Sequence, residues 1–152
     1  MSVWEDLLGP KIDTKDGSKC AQEALEKKKF IGLYFSAHWC PPCKAFTPVL
    51  SAFYNDMIAA HEDFEIIFIS SDRDAQSFQS YYESMSFCAL PFTEAHIKNL
   101  GTKFGVRGIP TLIFLDNEAR IVEEDGRSLV ANSQGSVEKV WENLVRKLES
   151  LH

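Results

Sequence analysis

The feature that most constrains this chain is a pair of cysteines two residues apart, Cys40 and Cys43. A run of apolar, β-prone residues (30–35) precedes the pair, and a long amphipathic segment begins near Pro42. The cysteines therefore lie where a buried strand gives way to a helix, and they can close a small disulfide ring. A free thiol of pKa ~8.5 is only slightly ionised at neutral pH, whereas one lowered to about 7 is about half ionised. Because the positive end of a helix dipole lowers a thiol pKa, this pattern predicts a redox site.

The two cysteines are predicted to have different roles in thiol–disulfide exchange. Cys40 falls at the helix start, where unpaired backbone N–H groups stabilise negative charge, and is the predicted attacking thiolate. Cys43 lies one turn further on and is the predicted resolving thiol, which attacks the mixed disulfide and releases the reduced target. Pro41 and Pro42 stiffen the ring between them and offer no N–H to either sulfur.

Half of a zinc site is the alternative interpretation of the same two cysteines. Such a site needs two further ligands, but Cys20 and Cys88 are isolated in the sequence and no pair of histidines has ligand spacing. The redox interpretation is therefore favoured, and we expect no metal. Cys20 and Cys88 are better explained as packing thiols than as redox switches.

Composition and charge exclude several classes of protein. The net charge is −6, so the chain lacks the basic stripe that a nucleic-acid surface needs. Its one basic cluster, Lys27-Lys28-Lys29, fits a solvated helix end better than a localisation signal. No apolar run follows a basic start and no segment is long enough to span a bilayer, so we expect no membrane partner. Cysteines without a secretion signal indicate a reducing compartment, and we expect a cytoplasmic location, with a nuclear one as the alternative.

The hydrophobic pattern predicts a single α/β domain over residues 1–152, with residues 1–29 as an extension packed on it. Residues 30–36 and 64–70 do not alternate, which is typical of central strands covered on both faces. Residues 111–115 and 120–123 predict an antiparallel hairpin. The expected sheet is mixed, parallel at its centre and antiparallel at one edge, with helices on both faces.

The predicted helices follow from apolar spacing and capping residues. A short helix over residues 3–8 is expected to stop at Gly9-Pro10, and the long helix after Cys40 contains Pro48, which predicts a kink. Three further helices are expected after the cap Asp74, before the stop Gly105 and after the cap Ser136, and residues 125–135 are predicted to be loop.

A second site element is Gly108-Ile109-Pro110-Thr111, which opens an apolar strand. Pro110 cannot donate to the strand ladder. A cis Ile109–Pro110 bond facing the cysteines would leave the Ile109 backbone free to pair with an extended substrate segment. The alternative is an ordinary trans proline at a strand start, but the upstream cysteine pair favours the cis form.

These motifs resemble the thioredoxin superfamily. Three longer stretches, residues 35–48, 70–74 and 89–92, are similar to its nucleoredoxin and tryparedoxin branch, and the likeness covers about residues 28–128. The resemblance implies a thioredoxin fold in which Trp39 shields the site and Pro110 is the cis proline. It also implies reduction of protein disulfides without metal or organic cofactor, an external dithiol or reductase as electron donor, and, for nucleoredoxins, redox-dependent binding of signalling proteins.

The chain departs from the thioredoxin pattern near the site. Tyr34 stands where many thioredoxins carry a buried Asp that relays protons, so deprotonation of Cys43 must use another group. His38 either tunes Cys40 electrostatically or is an exposed spacer, and Lys44 either raises the local potential or is merely solvated. Similarly, Asp72 and Arg73 either border the site, as loops after parallel strands do, or the acidic residues here cap a helix.

Two functions are compatible with these residues. The first is a small monomeric protein-disulfide reductase that acts on disulfide-containing or thiol-regulated proteins. The alternative is a redox-gated adaptor for signalling proteins, whose affinity depends on the Cys40–Cys43 state and which has little turnover. Both use the same residues, so the sequence does not separate them.

Overall fold

The computed structural model describes residues 3–151; residues 1, 2 and 152 of the predicted 1–152 domain lie outside the described residues. The strands in chain order are β1 (Lys11–Thr14), β2 (Gly17–Cys20), β3 (Phe30–Ser36), β4 (Phe64–Ser70), β5 (Cys88–Ala89), β6 (Thr111–Asp116) and β7 (Ile121–Glu123). The helices are α1 (Val3–Leu8), α2 (Ala21–Leu25), α3 (Pro41–Ala60), α4 (Ala75–Glu83), α5 (Ile97–Lys103), α6 (Gly126–Asn132) and α7 (Val137–Glu149).

The strands form one mixed sheet in the order β2-β1-β5-β4-β3-β6-β7. At its centre β3 runs parallel to β4, and β4 runs parallel to β5. Every residue of β3 and β4 is buried, which confirms the prediction of central strands covered on both faces. Beyond β3, β6 runs antiparallel to β3 and β7 runs antiparallel to β6, as predicted for the hairpin at this edge.

The other edge of the sheet is also antiparallel, which the sequence analysis did not predict. The hairpin β1–β2 lies within the N-terminal extension and joins the sheet where Asp13 pairs with Ala89. Gly17 at the turn has φ +110°, a conformation that favours glycine. Because most of the hairpin side chains are polar and only Ile12 is fully buried, the sequence has little of the apolar alternation that identifies a strand.

Helices cover both faces of the sheet, as predicted, and each face has its own hydrophobic core. One core lies between the sheet and α3, α4, α6 and α7, and the other lies between the sheet and α1, α2 and α5. Tyr34 of β3 faces the first core, whereas its neighbours Leu33 and Phe35 face the second. Successive side chains of β3 therefore pack into opposite cores. The cysteine pair follows a few residues after the end of this strand.

The predicted helix ends agree well with the structure. Asp74 caps α4, since its carboxylate accepts a hydrogen bond from Ser77 N at 2.7 Å, and Ser136 caps α7 through Lys139 N. Gly105 follows the end of α5 with φ +66°. The long helix α3 continues through the exposed Pro48 to Ala60.

The prediction that residues 125–135 form a loop is wrong. Asp125 caps the short helix α6 by accepting a hydrogen bond from Ser128 N, and Val130 packs into the core. A Cβ on Gly126 would lie 2.8 Å from the Leu112 carbonyl oxygen, so glycine permits this close approach to β6. A helix this short is stabilised by its tertiary contacts rather than by apolar periodicity, and the sequence signal is correspondingly weak.

Between residues 3 and 151 no helix combines the length and the hydropathy needed to cross a bilayer.

Candidate active site

The two cysteines meet at the start of α3, beyond the end of β3. Their Sγ atoms lie at disulfide-bonding distance and their Cα atoms are 5.2 Å apart. Cys40 is the N-cap residue of α3 and Cys43 lies in its first turn. Cys40 is 5% exposed, whereas Cys43 is fully buried. Of the two cysteines, therefore, only Cys40 has any surface exposed to another molecule.

The Cys40 sulfur has one nearby backbone donor and one carbonyl neighbour. The N–H of Cys43 donates to Cys40 Sγ at 3.3 Å, and it is the first N–H available because Pro41 and Pro42 have none. The carbonyl oxygen of Ile109 lies 3.8 Å from the same sulfur. The donor and the helix start favour the thiolate form of Cys40.

The segment before β6 lies directly opposite the cysteines. The peptide bond between Ile109 and Pro110 is cis, which confirms that alternative over the trans one. Ile109 packs against a small apolar cluster formed by Ala37 and the two cysteines. The predicted elements of the site, the cysteine pair and the Ile109–Pro110 bond, therefore lie together in the structure.

Trp39 lies at the rim of the site, where 52% of it is exposed. Its Nε1–H donates to the carbonyl oxygen of Ser71 at 3.1 Å. The guanidinium of Arg73 lies 5.5 Å from the centre of its ring, within the range of a cation–π contact. The loop between β4 and α4 therefore fixes the orientation of Trp39.

The structure distinguishes between the two roles predicted for Asp72, which were bordering the site and capping a helix. Its buried carboxylate accepts hydrogen bonds from the backbone N–H of His38 at 2.7 Å and from Ser70 Oγ at 2.8 Å. The capping role belongs instead to Asp74. Asp72 is thus a tether between the loop after β4 and the loop that carries Trp39 and Cys40.

His38 and Lys44 differ in their surroundings. The half-buried ring of His38 packs edge to face against Tyr81, with the ring centres 5.6 Å apart, so it is more than an exposed spacer. Lys44 follows Cys43, and its side chain is exposed on the first turn of α3. In this position Lys44 adds positive charge to the surface beside the cysteines.

Comparison with known proteins agrees with this geometry. Residues 28–121 match the sequence profile of the family described as thioredoxin-like. The chain belongs to the thioredoxin-like family. Its predicted class, a thiol–disulfide oxidoreductase, is therefore the class of its family, and the fold predicted from the resemblance is confirmed by the solved tryparedoxin structures.

Three relatives illustrate the similarity. Nucleoredoxin of Mus musculus is 40% identical over 138 residues, which are 90% of this chain and 31% of that protein. Tryparedoxin of Trypanosoma brucei brucei is 40% identical over 117 residues, which are 76% of this chain and 81% of the relative. The solved structure of tryparedoxin from Trypanosoma brucei, 36% identical, superposes with a TM-score of 0.81 over 91% of this chain and 96% of its own. This thioredoxin-like chain thus spans about a third of the length of the nucleoredoxins that it matches.

Behind the disulfide, this thioredoxin-like chain has a buried cluster of hydroxyl groups that the sequence analysis missed. We call it the hydroxyl cluster: Tyr34, Ser36, Thr47 and Tyr81. Thr47 Oγ1 donates to the Cys43 carbonyl oxygen at 2.8 Å and also contacts Tyr34 Oη at 2.7 Å and Tyr81 Oη at 2.5 Å. Ser36 Oγ lies 2.7 Å from Tyr81 Oη. The only sequence signal for it is the polar residues at otherwise apolar strand and helix positions.

The directions of these hydrogen bonds follow from counting protons. A hydroxyl donates once and accepts twice. Since Thr47 donates to the Cys43 carbonyl, the two tyrosine hydroxyls are the donors in their contacts with Thr47, and Tyr34 Oη also donates to the Cys43 carbonyl at the longer distance of 3.5 Å. Because Tyr81 donates to Thr47, Ser36 Oγ donates to Tyr81. The protons of the hydroxyl cluster therefore all point along the chain of bonds that ends at Cys43. Burial raises the pKa of Tyr34 well above its usual value, so its hydroxyl stays neutral and cannot hold a negative charge as a buried Asp would.

A groove beside the cysteines extends the site along the surface. Its volume is about 520 Å³, and it lies between α5, the loop after β4 and the segment before Pro110. Apolar side chains line much of it, including Trp39, Ile97, Val106 and Ile109. A groove of this size next to Cys40 can accept several residues of an extended chain.

The other two cysteines lie apart from this site. Cys20 is half-buried, with its sulfur 3.4 Å from Glu5 Oε1. Cys88 is buried in β5 beside Glu65, and burial together with this carboxyl group raises the pKa of its thiol. Among the described residues, no three His, Cys, Asp or Glu side chains converge as metal ligands.

Proposed function

We propose that this chain reduces disulfide bonds in target proteins, with Cys40 as the nucleophile and Cys43 as the resolving thiol. The observation that carries the proposal is the arrangement of the two sulfurs. Cys40 is the more exposed sulfur, sits at a helix N-cap and accepts a hydrogen bond from Cys43 N–H, while the buried Cys43 lies at bonding distance from it. This is the asymmetry that a nucleophile and a resolving thiol require.

In the first step the Cys40 thiolate attacks one sulfur of the target disulfide. The target S–S bond breaks, a Cys40–target disulfide forms, and the second target sulfur leaves as a thiolate that takes a proton from water. The target segment lies against Trp39 and pairs with the Ile109 backbone beside Cys40. The cis Ile109–Pro110 bond and the groove at the rim support this placement.

In the second step the Cys43 thiolate attacks Cys40 Sγ. The mixed disulfide breaks, the Cys40–Cys43 disulfide forms, and the departing target thiolate takes the proton that Cys43 releases. No carboxylate belongs to the hydroxyl cluster, so its role is to hold the Cys43 carbonyl in place rather than to accept the proton. An external dithiol or reductase then returns two electrons to the pair, and the steps require neither metal nor bound organic cofactor.

The proposed partners are proteins with regulatory disulfides or thiols, among them signalling proteins, together with the upstream reductant. A monomer in the cytoplasm, or in the nucleus, fits this role. The exposed Trp39 and the groove beside Cys40 offer such target proteins a surface to bind.

A redox-gated adaptor is the second candidate, and the exposed Trp39 favours it. Its indole lies beside the cysteine pair and is oriented by Ser71 and Arg73, so a change at the disulfide can alter the surface that a partner binds. In this alternative the chain binds its partner more tightly in one redox state and turns over slowly.

Insulin-disulfide reduction by the whole chain tests the proposal. We expect Cys40→Ser to abolish reduction and Cys43→Ser to accumulate mixed disulfides with the substrate, while the control Cys20→Ser keeps the rate of the wild type. Full activity in Cys40→Ser would contradict the reductase. Slow turnover combined with redox-dependent capture of a partner would instead favour the adaptor, whereas equal capture by the oxidised and reduced forms would exclude gating.

A further inference from the structure

The groove beside the redox pair carries positive charge, although the protein as a whole is acidic. The chain has 22 Asp and Glu residues against 16 Lys and Arg. The charged residues that line the groove are nevertheless both cationic: Lys98 on α5 and Arg107 in the segment before Ile109. Both are exposed, and within residues 3–151 neither forms an ion pair with a carboxylate. Their charge is therefore available to a bound molecule.

A third cation lies at the same rim. The Arg73 guanidinium lies 5.5 Å from the ring centre of Trp39, which lines the groove. The carboxylates next to Arg73 in sequence are used elsewhere, because Asp72 accepts from His38 N–H and Asp74 accepts from Ser77 N–H. Among the described residues neither carboxylate forms an ion pair with Arg73, whose side chain is exposed.

We propose that the groove selects target segments that carry Asp or Glu close to the disulfide. This inference rests on the proposed function, since it names the substrate class of the same site. An extended segment advances about 3.3 Å per residue, so a carboxylate a few residues from the target cysteine lies along the groove when that cysteine reaches Cys40. Lys98 and Arg107 then pair with the carboxylates, and Arg73 adds to the positive potential at the entrance.

The preference should be moderate and sensitive to salt. Exposed ion pairs are individually weak, and two or three of them acting together change kcat/KM by about tenfold. Part of the effect comes from steering of the encounter, which salt suppresses as the Debye length falls to about 3 Å at 1 M.

Three disulfide-linked peptides test the proposal with the full chain. They share one sequence except for the residues that flank the cysteine, which are Glu, Ser or Lys. The rate of reduction gives kcat/KM for each peptide at low and high salt. Binding of the same peptides, alkylated at cysteine, to the Cys40→Ser/Cys43→Ser variant is measured by fluorescence anisotropy, which gives a readout that does not depend on catalysis.

The decisive variant is Lys98→Gln/Arg107→Gln, which removes both cations of the groove. Its matched control is Lys139→Gln/Arg146→Gln, since these residues are also an exposed Lys and Arg that line a groove, between α6 and α7. We expect the wild type and the control to prefer the Glu peptide over the Lys peptide by about tenfold. In Lys98→Gln/Arg107→Gln this ratio should fall close to 1, both in kcat/KM and in affinity.

The remaining outcomes would contradict the acidic preference, its assignment to this groove, or the proposed reductase. Equal kcat/KM for the three peptides, or a preference for Lys, would overturn the inference and leave the reductase intact. A preference that survives in Lys98→Gln/Arg107→Gln, or that is lost in the control, would overturn the assignment to this groove. If none of the peptides is reduced, the reductase proposal fails, and selective binding of the Glu peptide to the Cys40→Ser/Cys43→Ser variant would still support the acidic preference.

Discussion

The backbone N–H of His38 donates a 2.7 Å hydrogen bond to Oδ1 of Asp72, which lies 34 residues further along the chain. The second oxygen of Asp72 accepts a hydrogen bond from Ser70 Oγ at the end of β4. One buried carboxylate thus joins the loop after β3, which carries Trp39 and Cys40, to the loop after β4. The position of Cys40 therefore depends on a residue of the loop that follows the neighbouring strand.

We expect Asp72→Ala to destabilise the protein by about 1–3 kcal/mol, because it leaves two donors without their acceptor in a buried place. It should also lower kcat/KM for disulfide reduction, since the loop before Cys40 loses its tether. Asp72→Asn keeps an acceptor oxygen for His38 N–H and is the matched control, with a smaller loss in both quantities. Urea denaturation and insulin reduction measure the two effects. Equal behaviour of the Ala variant and the wild type would show that the tether is not needed.

The hydroxyl cluster predicts a specific effect of Tyr34→Phe. This change removes a hydroxyl that donates to Thr47 beneath the Cys43 carbonyl, at a cost of about 1 kcal/mol in stability. Tyr82→Phe is the matched control, because its hydroxyl donates to the Asp13 carbonyl far along the sheet. We expect both variants to lose similar stability, but only Tyr34→Phe to slow the resolution of the mixed disulfide. Stopped-flow quenching of the intermediate, followed by mass spectrometry, measures this step, and equal rates in the two variants would contradict the role of the cluster.

The buried carboxyl of Glu65 predicts how stability changes with pH. Burial raises its pKa above the ordinary 4.5, and the hydrogen bonds from Tyr54 Oη and Ile66 N–H offset this only in part. The folded protein therefore keeps the Glu65 proton to a higher pH than the unfolded chain does. The free energy of unfolding consequently falls as the pH rises from the unfolded pKa through the folded one, and the penalty is complete above the folded pKa.

Glu65→Gln removes this titration and keeps the oxygen that accepts both hydrogen bonds. We expect the stability of Glu65→Gln relative to the wild type to increase as the pH rises above the ordinary pKa of 4.5, until the pH has passed the raised pKa of the folded state. Urea denaturation at a series of pH values measures the difference. A difference that stays constant, or that shrinks as the pH rises, would contradict the raised pKa.

The free cysteines should differ in reactivity once the pair has been reduced. Cys88 is buried and the pKa of its thiol is raised, so alkylation in the native protein should be slower than at Cys40 by roughly two orders of magnitude or more. Cys20, which is half-buried at the surface, serves as the internal comparison. Iodoacetamide labelling with peptide mapping gives the rates, and in guanidinium all the cysteines should react alike. Rapid native labelling of Cys88 would contradict its assignment as a packing thiol.

The elements with long apolar runs were predictable because a buried strand or helix face needs apolar residues, which can be recognised in the sequence. Strands β3 and β4 are largely apolar, with Glu65 as the one charged residue in them, and Asp74 and Ser136 are typical caps. The hairpin β1–β2 and the helix α6 were missed because they are short and largely polar. Their stability comes from pairing with β5 and packing on β6, and the residues that provide those contacts lie far away in the chain.

The sequence by itself determined where the candidate redox site of this protein lies. The spacing of Cys40 and Cys43 at a strand–helix junction specifies a redox pair, and Ile109-Pro110 specifies the segment that faces it. Only the tertiary structure decided what surrounds the sulfurs: the tether from Asp72, the hydroxyl cluster behind Cys43, and the cations along the groove. The physical reason is that spacing acts within one element of the chain, whereas hydrogen bonds and electrostatic fields depend on distances between residues that only the folded sheet brings together.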